Sequence, residues 1–304
     1  MDTRATRRLP TRGWVGLALV ALAWPANWFL PGVRTHLLFF PLWLGYVLAL
    51  DGWIERRDGS SPWTRSRRGF VALFALSVPL WWAFEAANAV LANWEYVGGE
   101  FGDVEYALLC SLSFSTVVPA VLVSAEWARG FAWIERRGPG PRLVPTPAAC
   151  VASFAFGLAL LACTLYWPRT CYPFLWISGV FLLEPLTVWR GRPALTGALA
   201  RGDWRPWLAL WTGVLACGFC WELWNSRSLP KWIYHIPPSA LPLVNAPKLF
   251  EMPLAGYLGY LPFGLVVYQW KELWLGEPEL LARSAASGGQ QGARDSRPRE
   301  FASE

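Results

Sequence analysis

The chain has 304 residues, of which 54% are hydrophobic and 16% are charged, and its formal net charge is +6. Soluble domains carry about 25% charged residues. Because the apolar residues here come in long runs, the composition excludes an ordinary soluble domain and predicts a polytopic membrane protein. The positive charge comes mostly from Arg in short connecting segments, which is typical of a topology signal and not of a nucleic-acid-binding surface.

Eight apolar stretches are each close to the ~20 residues that cross a bilayer as a helix. They lie at 14–31, 36–54, 70–92, 105–127, 148–167, 172–189, 205–225 and 251–274. The sequence therefore predicts an all-α fold, a membrane bundle of about eight transmembrane helices.

Arg residues concentrate in alternate connecting segments. Because cytoplasmic loops carry the excess of Lys and Arg, this pattern predicts an integral protein of the inner or plasma membrane with both termini in the cytoplasm. The predicted units are a cytoplasmic N-terminus at 1–13, membrane repeats at 14–140 and 141–276, and a disordered cytoplasmic tail at 277–304, which is rich in Gly and Ser.

The same polar and aromatic residues recur in the same order in both halves. The matched pairs are Asp51 and Glu184, Glu85 and Glu222, Asn88 and Asn225, Trp94 and Trp232, Tyr96 and Tyr234, and Glu105 and Glu251. An even number of spans in each half gives both halves the same orientation. The pattern therefore predicts a tandem 4+4 repeat about an axis along the membrane normal, with a cleft between the halves.

Glu85 and Glu222 are the acids for which the sequence favours function over structure. Each lies near the outer end of a predicted span, with neither a helix start nor a sequence-local cation to explain it. Desolvation favours the neutral form of such a carboxyl group, which can then donate a proton. Asn88 and Asn225 share a helix face with the acids, and we expect them to orient the carboxyl groups.

The other four acids have a structural alternative. Glu105 and Glu251 are expected in the first turn of a helix, where the dipole and free N–H groups favour a carboxylate. Asp51 and Glu184 are expected to reach cations at the inner interface. Glu105 and Glu251 open spans on the outer side, so they remain candidates for an assisting catalytic role.

Tryptophan is unusually frequent, with 22 residues. Most of them fall at predicted membrane interfaces, where an aromatic belt explains them. A smaller set is predicted well inside the bilayer: Trp43, Trp81, Trp82, Trp176, Trp211, Trp221 and Trp224. Aromatic faces stabilise cations, and a proton donor with an aromatic lining suits acid-initiated carbocation chemistry. The candidate substrate-binding residues are Asn88, Asn225, Trp82, Trp221, Tyr96 and Tyr234.

Other catalytic constellations are absent from the sequence. Cys217 and Cys220 have a C-x-x-C spacing, but they lie inside a predicted span without a second ligand pair, so we expect no metal site. His36 and His235 are the only two histidines, which argues against a His-box di-iron enzyme. No dinucleotide-binding, P-loop or nucleophile-elbow motif is present, and we expect no cofactor.

The order of acids in each half resembles the lycopene cyclase domain family. Each half has an acid that ends one span, an aromatic-flanked Glu in the next and a Glu that opens a further span: Asp51, Glu85 and Glu105, then Glu184, Glu222 and Glu251. The resemblance covers roughly residues 36–127 and 172–275, and it implies cofactor-free, acid-catalysed cyclisation of a carotenoid or another isoprenoid.

The chain also departs from that family. The family has paired acids after a Pro, where this chain has the single carboxyls of Glu105 and Glu251, and each unit here has an extra leading span. The pair Trp221–Glu222 is similar to a Trp–Glu pair in membrane-bound meroterpenoid cyclases.

The sequence therefore predicts an integral-membrane, lycopene-cyclase-like enzyme in which Glu85 and Glu222 are the leading proton donor and counter-acid. Two alternatives stay open. One is a proton-coupled transporter that uses the acids as a relay between symmetric halves. The other is a non-catalytic structural membrane protein. The expected partners are the membrane and an apolar isoprenoid or lipid-like substrate, with no nucleic acid. The sequence does not indicate an oligomeric state.

Overall fold

The computed structural model describes residues 7–236 and 247–276. Within these ranges the chain is mostly helical, with a few short strands. The predicted disordered tail at 277–304 lies outside the described residues, as does part of the outer segment before the last predicted span.

The longer helices follow the predicted apolar stretches. In chain order the helices are α1 (Thr11–Phe29), α2 (Thr35–Asp58), α3 (Pro62–Arg65), α4 (Arg67–Leu91), α5 (Asp103–Phe114), α6 (Val117–Arg129), α7 (Ala132–Glu135), α8 (Pro147–Tyr166), α9 (Pro168–Cys171), α10 (Phe174–Trp189), α11 (Leu195–Ala200), α12 (Arg205–Asn225) and α13 (Tyr260–Trp274). The strands form two antiparallel pairs, β1 (Trp94–Val97) with β2 (Lys231–Tyr234) and β3 (Lys248–Leu249) with β4 (Met252–Pro253).

Five helical segments in the described part of the chain are long and apolar enough to cross a membrane: α2, α4, the stretch of α5 and α6 taken together, α8 and α12. α10 is apolar but shorter, with 16 residues. These segments support an integral membrane protein, so the helical, membrane-type character of the prediction is confirmed. The count of eight spans stays a prediction.

The predicted span at 251–274 is wrong in its first part. Glu251 lies in a turn between β3 and β4, a 3-10 helix follows at Leu254–Gly259, and the α-helix begins only at Tyr260. Pro253 has no backbone N–H and two glycines follow it, so this stretch is a poor start for an α-helix. Glu251 is therefore not in the first turn of a helix, whereas Glu105 is, in α5 as predicted.

α6 lies at the centre of the bundle. Every residue from Val117 to Glu126 is buried, and the helix packs against α2, α4, α12 and α13. α12 can approach closely because Gly213 has no side chain; a Cβ there would collide with the α6 backbone at Ala125. By contrast, α1 and α8 expose large apolar side chains such as Leu22 and Val151, as helices that face lipid do.

Helix contacts recur along the chain. α1 packs on α2 as α8 packs on α10, and α2 packs on α6 as α10 packs on α13. α4 packs on α6 as α12 packs on α13. β1 follows α4 and β2 follows α12, and the two strands pair with each other.

The register of this pairing is reciprocal. Trp94 lies opposite Tyr234, and Tyr96 lies opposite Trp232. Each Trp-x-Tyr segment therefore meets the other in the self-complementary way that a two-fold relation produces.

Asp51 and Glu184 lie at the end of the bundle away from β1 and β2, and both cap short helices. Asp51 accepts hydrogen bonds from Arg12 Nε at 2.7 Å and from the backbone N–H of Trp63, in α3, at 3.0 Å. Glu184 accepts from the backbone N–H of Thr196, in α11, at 2.6 Å. Local capping and, for Asp51, an ion pair give both acids a structural role.

We expect Asp51→Ala to destabilise the protein by about 2 kcal/mol, because it removes the fully buried one of the two carboxyl partners of Arg12, the other being Glu55, and it removes the cap of α3. Asp58→Ala is the matched control, since within the described part of the chain the exposed Asp58 pairs only with its neighbour Arg57. Its cost is expected to stay below about 1 kcal/mol. Thermal unfolding of both variants in detergent micelles measures the difference, and equal shifts would contradict the structural role of Asp51.

Candidate active site

Three donors converge on one oxygen of Glu85. The Oε1 atom accepts hydrogen bonds from Trp81 Nε1 at 2.9 Å, Trp94 Nε1 at 3.1 Å and Tyr96 Oη at 2.7 Å. Trp94 and Tyr96 come from β1, whereas Trp81 lies one helical turn before Glu85 on α4. The Trp81 contact was not among the predictions, although its i, i+4 spacing from Glu85 is a sequence signal that could have indicated it.

Glu222 is held by tyrosines and is completely buried. Its Oε1 atom accepts from Tyr234 Oη at 2.6 Å and from Tyr260 Oη at 2.9 Å. Its Oε2 atom has no hydrogen-bond partner among residues 7–236 and 247–276. Tyr260 lies 38 residues further along the chain, at the start of α13, and no spacing signal in the sequence links it to Glu222.

Asn88 and Asn225 hold strands, and the prediction that they orient the carboxyl groups is wrong. Asn88 accepts from the backbone N–H of Trp94 at 3.2 Å and donates to its carbonyl oxygen at 2.8 Å. Asn225 makes the same two bonds with Trp232, at 2.9 Å and 2.8 Å. Each Asn side chain thus ties the end of a long helix to the strand that follows it, and acts on the acid only through that strand.

A cavity of about 880 Å³ lies beside the β1–β2 pair. Its wall is mainly apolar and aromatic, and α4, α5, α10, α12, α13 and both strands contribute to it. The groups that bind the two carboxyls reach this wall: Trp81, Trp94, Tyr96, Tyr234 and Tyr260. Glu85 and Glu222 themselves lie behind this layer of rings, so each acid meets the cavity only through an N–H or O–H group.

Of the seven indoles predicted inside the bilayer, only some line the cavity. Those that do are Trp81, Trp176, Trp211 and Trp221, joined by Trp94 and Trp232 from the strands. Trp82, a predicted substrate-binding residue, is not part of the wall. Its Nε1 donates to Ser111 Oγ at 2.9 Å and its ring packs on Phe114.

The rings of the wall contact one another, and Phe263 joins the rings beside Glu85 to Trp221 beside Glu222. Beside Glu85, Trp94 lies 6.1 Å from Trp176, and Trp81 lies 5.9 Å from Phe263, measured between ring centroids. Beside Glu222, Tyr260 is stacked on Trp221, with an interplanar angle of 19°. The cavity therefore presents several aromatic faces close to both acids.

Glu105 and Glu251 are not brought to the cavity wall. Glu105 is exposed on α5. Glu251 forms an ion pair with Lys231 at 2.5 Å, and Lys231 lines the rim of the cavity. Unlike Glu85 and Glu222, these two acids therefore have no hydrogen bond to a ring of the cavity wall in the described part of the chain.

Tyr96 and Tyr234 are held as neutral hydroxyls. Burial, followed by the neighbouring carboxyl group, raises the pKa of Tyr96 well above its ordinary value. The same causes, in the same order, raise the pKa of Tyr234. Both strands therefore present O–H groups that can donate to a carboxyl or pass a proton.

Comparisons of the chain with known protein families, with curated proteins and with solved structures found no match. The residues described here contain no group of three or more His, Cys, Asp or Glu side chains that could hold a metal ion.

We expect Asn225→Ala to loosen the strand pair, because it leaves the backbone N–H and C=O groups of Trp232 without partners, at a cost of about 2 kcal/mol. Hydrogen exchange at the amide of Trp232 should accelerate about 30-fold, which corresponds to that free energy. Ser226→Ala, one residue away on the same helix end, is the control and should leave this amide unchanged. Unchanged hydrogen exchange at this amide in Asn225→Ala would refute the role of Asn225 in holding the strand.

Proposed function

We propose that the chain is an integral-membrane, lycopene-cyclase-like enzyme that carries out cofactor-free, acid-catalysed cyclisation, or related protonation chemistry, of a carotenoid or another isoprenoid. The observation that carries the proposal is the pairing of two carboxyl groups with tyrosine hydroxyls on the wall of one aromatic cavity. The substrate class comes from the resemblance in the order of the acids and from the apolar character of the wall.

The proposed reaction needs only a proton and a protected cation. A carboxyl O–H bond breaks and a C–H bond forms at one end of a substrate double bond, which leaves a positive carbon. A second double bond attacks this carbon and closes the ring. Loss of a proton from an adjoining carbon restores a double bond and returns the proton to the enzyme, so the substrate is isomerised without an oxidant or reductant.

Tyrosine hydroxyls fit the first step because each acid lies behind the wall. A neutral carboxyl group can donate to a tyrosine oxygen while that tyrosine donates its own hydrogen towards the cavity. Tyr234 and Tyr260 are such routes for Glu222, and the Tyr96 hydroxyl connects Glu85 to the wall. The volume of about 880 Å³ lies within the range of small-molecule sites.

The position of the cavity favours a substrate that arrives from the membrane. Its wall includes Ile177 on α10 and Leu258 in the 3-10 helix, and both side chains are exposed on the apolar surface of the bundle. An apolar chain dissolved in the bilayer would reach the aromatic wall without crossing water.

The proposal includes eight spans in a tandem 4+4 arrangement, with both termini in the cytoplasm. The recurring helix contacts and the reciprocal register of β1 and β2 support it. In this arrangement the cavity lies between the two halves, near the outer surface of an inner or plasma membrane.

A transmembrane proton relay receives less support. It would need Asp51 and Glu184 as members on the cytoplasmic side, but both are engaged in capping helices. Of the six matched acids, the four that remain lie at the end of the bundle that carries β1 and β2. A cavity whose acids lie at one depth is better suited to a reaction of a bound substrate than to conduction of protons across the membrane.

In a lycopene-producing bacterial host we expect the wild-type chain to form a new cyclic pigment. Glu85→Gln and Glu222→Gln keep the shape of each side chain but remove its acid, so each should lower product formation by about 100-fold or more. Pigment analysis by chromatography measures this. Product formation at wild-type levels in both variants would rule out acid catalysis by these groups, and no new product from the wild type would overturn the carotenoid proposal.

Three variants test the Tyr260 hydroxyl and the exclusion of Glu105 from the site. Tyr260→Phe is expected to lower activity by about tenfold or more, whereas Tyr257→Phe, whose hydroxyl bonds a backbone carbonyl away from the wall, should not. Glu105→Gln should also leave activity unchanged. If activity falls only in step with protein abundance, the structural alternative replaces the enzyme.

Single cysteines in a chain without its native cysteines test the eight-span arrangement. With eight spans, Arg137→Cys and Arg192→Cys lie on the same side and resist a membrane-impermeant maleimide in intact cells, while Glu100→Cys reacts. If only the five long apolar segments span, the Arg192 position moves to the side of Glu100. Labelling of Arg192→Cys in intact cells would therefore overturn the 4+4 arrangement.

A further inference from the structure

The two carboxyl sites have the same strands but different donors. Two of the three hydrogen bonds to Glu85 come from indole N–H groups, which can only donate. Both hydrogen bonds to Glu222 come from tyrosine hydroxyls, which can donate or accept. An oxygen that accepts three hydrogen bonds is best supplied by an ionised carboxylate, whereas a carboxyl group among hydroxyls can keep its own proton and donate it.

Two differences between matched positions of the two halves produce this difference in donors. Gly218 precedes Glu222 by four residues, as Trp81 precedes Glu85. Tyr260 packs against Gly218, where any Cβ would collide with its ring. In the first half the position beside the acid is filled by Trp81, so its donor comes from the same helix; in the second half the glycine leaves room for a tyrosine from α13.

The second difference is at Phe114, which occupies the position that matches Tyr260. It follows Glu105 by nine residues, as Tyr260 follows Glu251, and its ring packs on Trp81, with 6.0 Å between the centroids. Phe114 has no hydroxyl to offer Glu85. These matched positions therefore supply an indole N–H to Glu85 and a tyrosine hydroxyl to Glu222.

Glu85 also has no cationic partner in the described part of the chain. Among residues 7–236 and 247–276, no Lys or Arg forms an ion pair with it, and Lys231 on the cavity rim is bound to Glu251. A partly buried carboxylate without a counter-charge is costly. The indoles of Trp81 and Trp94 lie between this oxygen and the cavity, and hydrogen bonding to a carboxylate polarises a ring so that its face attracts a cation more strongly.

We infer that the two carboxyl groups have different roles. Glu85 is the ionised group, and it stabilises a positive charge in the cavity through Trp81 and Trp94. Glu222 is the neutral group that holds the transferable proton. The ligand class is an apolar organic cation, which includes a carbon cation formed during a reaction. The catalytic meaning of this division rests on the proposed function. The protonation states and the cation site do not, and they can be measured without any substrate.

The first arm of the test is infrared spectroscopy of the full chain in lipid vesicles. The carbonyl stretching band of a protonated carboxyl group should be present in the wild type, lost in Glu222→Gln and unchanged in Glu85→Gln. A band that disappears with Glu85→Gln and survives Glu222→Gln reverses the assignment and overturns the inference.

The second arm measures ligand binding by quenching of tryptophan fluorescence. The probes are protonated N,N-dimethyldodecylamine and the neutral dodecan-1-ol, which have the same apolar chain. The wild type should prefer the ammonium about tenfold; Glu85→Gln should reduce this preference to about twofold or less, and Glu222→Gln should retain it. A preference that survives Glu85→Gln overturns the cation site.

A third variant keeps the test decisive if Glu85→Gln does not fold. Trp81→Phe retains a ring but removes its N–H, so it should lower the ammonium preference several-fold, while Trp82→Phe, on the same helix but away from the wall, should not. An equal preference in both variants counts against the inference. Absence of a pigment product would leave these outcomes intact and would overturn only the proposed reaction.

Discussion

The pairing of β1 with β2 is the constraint on which the candidate site depends. These strands carry Trp94 and Tyr96 to Glu85, and Tyr234 to Glu222. Each strand is tied to the helix before it by an Asn side chain, which satisfies a backbone N–H and a backbone C=O that the interior would otherwise leave without partners. A side-chain amide donates and accepts at once, whereas an ionised Asp only accepts, so Asp at either position would lose one of the two bonds.

The hydrogen-bond and ion-pair partners of the six matched acids also distinguish them from one another. Asp51 and Glu184 lie within reach of the free N–H groups at the start of a short helix, and Glu251 lies beside a lysine. Glu105 is exposed. Glu85 and Glu222 are the acids whose partners are the N–H and O–H groups of aromatic side chains on a cavity wall. Burial alone would not have distinguished Glu222 from Asp51, since both are fully buried; the chemistry of the partners does.

The sequence predicts the helices and both acids of the site, because apolar runs and a repeated spacing are local signals. It does not predict β1 and β2, whose four residues are too few for an alternating pattern. Nor can it predict Tyr260, since the contact with Glu222 depends on how α13 packs on α12. The prediction for Asn88 failed for the same reason. The i, i+3 spacing places Asn88 near Glu85, but the backbone of the strand satisfies both the donor and the acceptor of its amide, which the carboxyl group does not.

The parts that recur in both halves and the parts that differ have different physical functions. The hydrogen bonds from Asn88 and Asn225 to the strands occur beside both acids because they hold the backbone in place. The same is true of the strand register, and a change in either would displace the partners of both acids at once. The residues that differ, Trp81 against Gly218 and Phe114 against Tyr260, change the packing beside each carboxyl and the polar hydrogens that reach it. One acid cannot be an ionised stabiliser and a proton donor at the same moment. Two acids held by the same kind of strand but with unequal donors can supply both forms, so the difference in donors supports the proposed division of roles more than the shared strand contacts do.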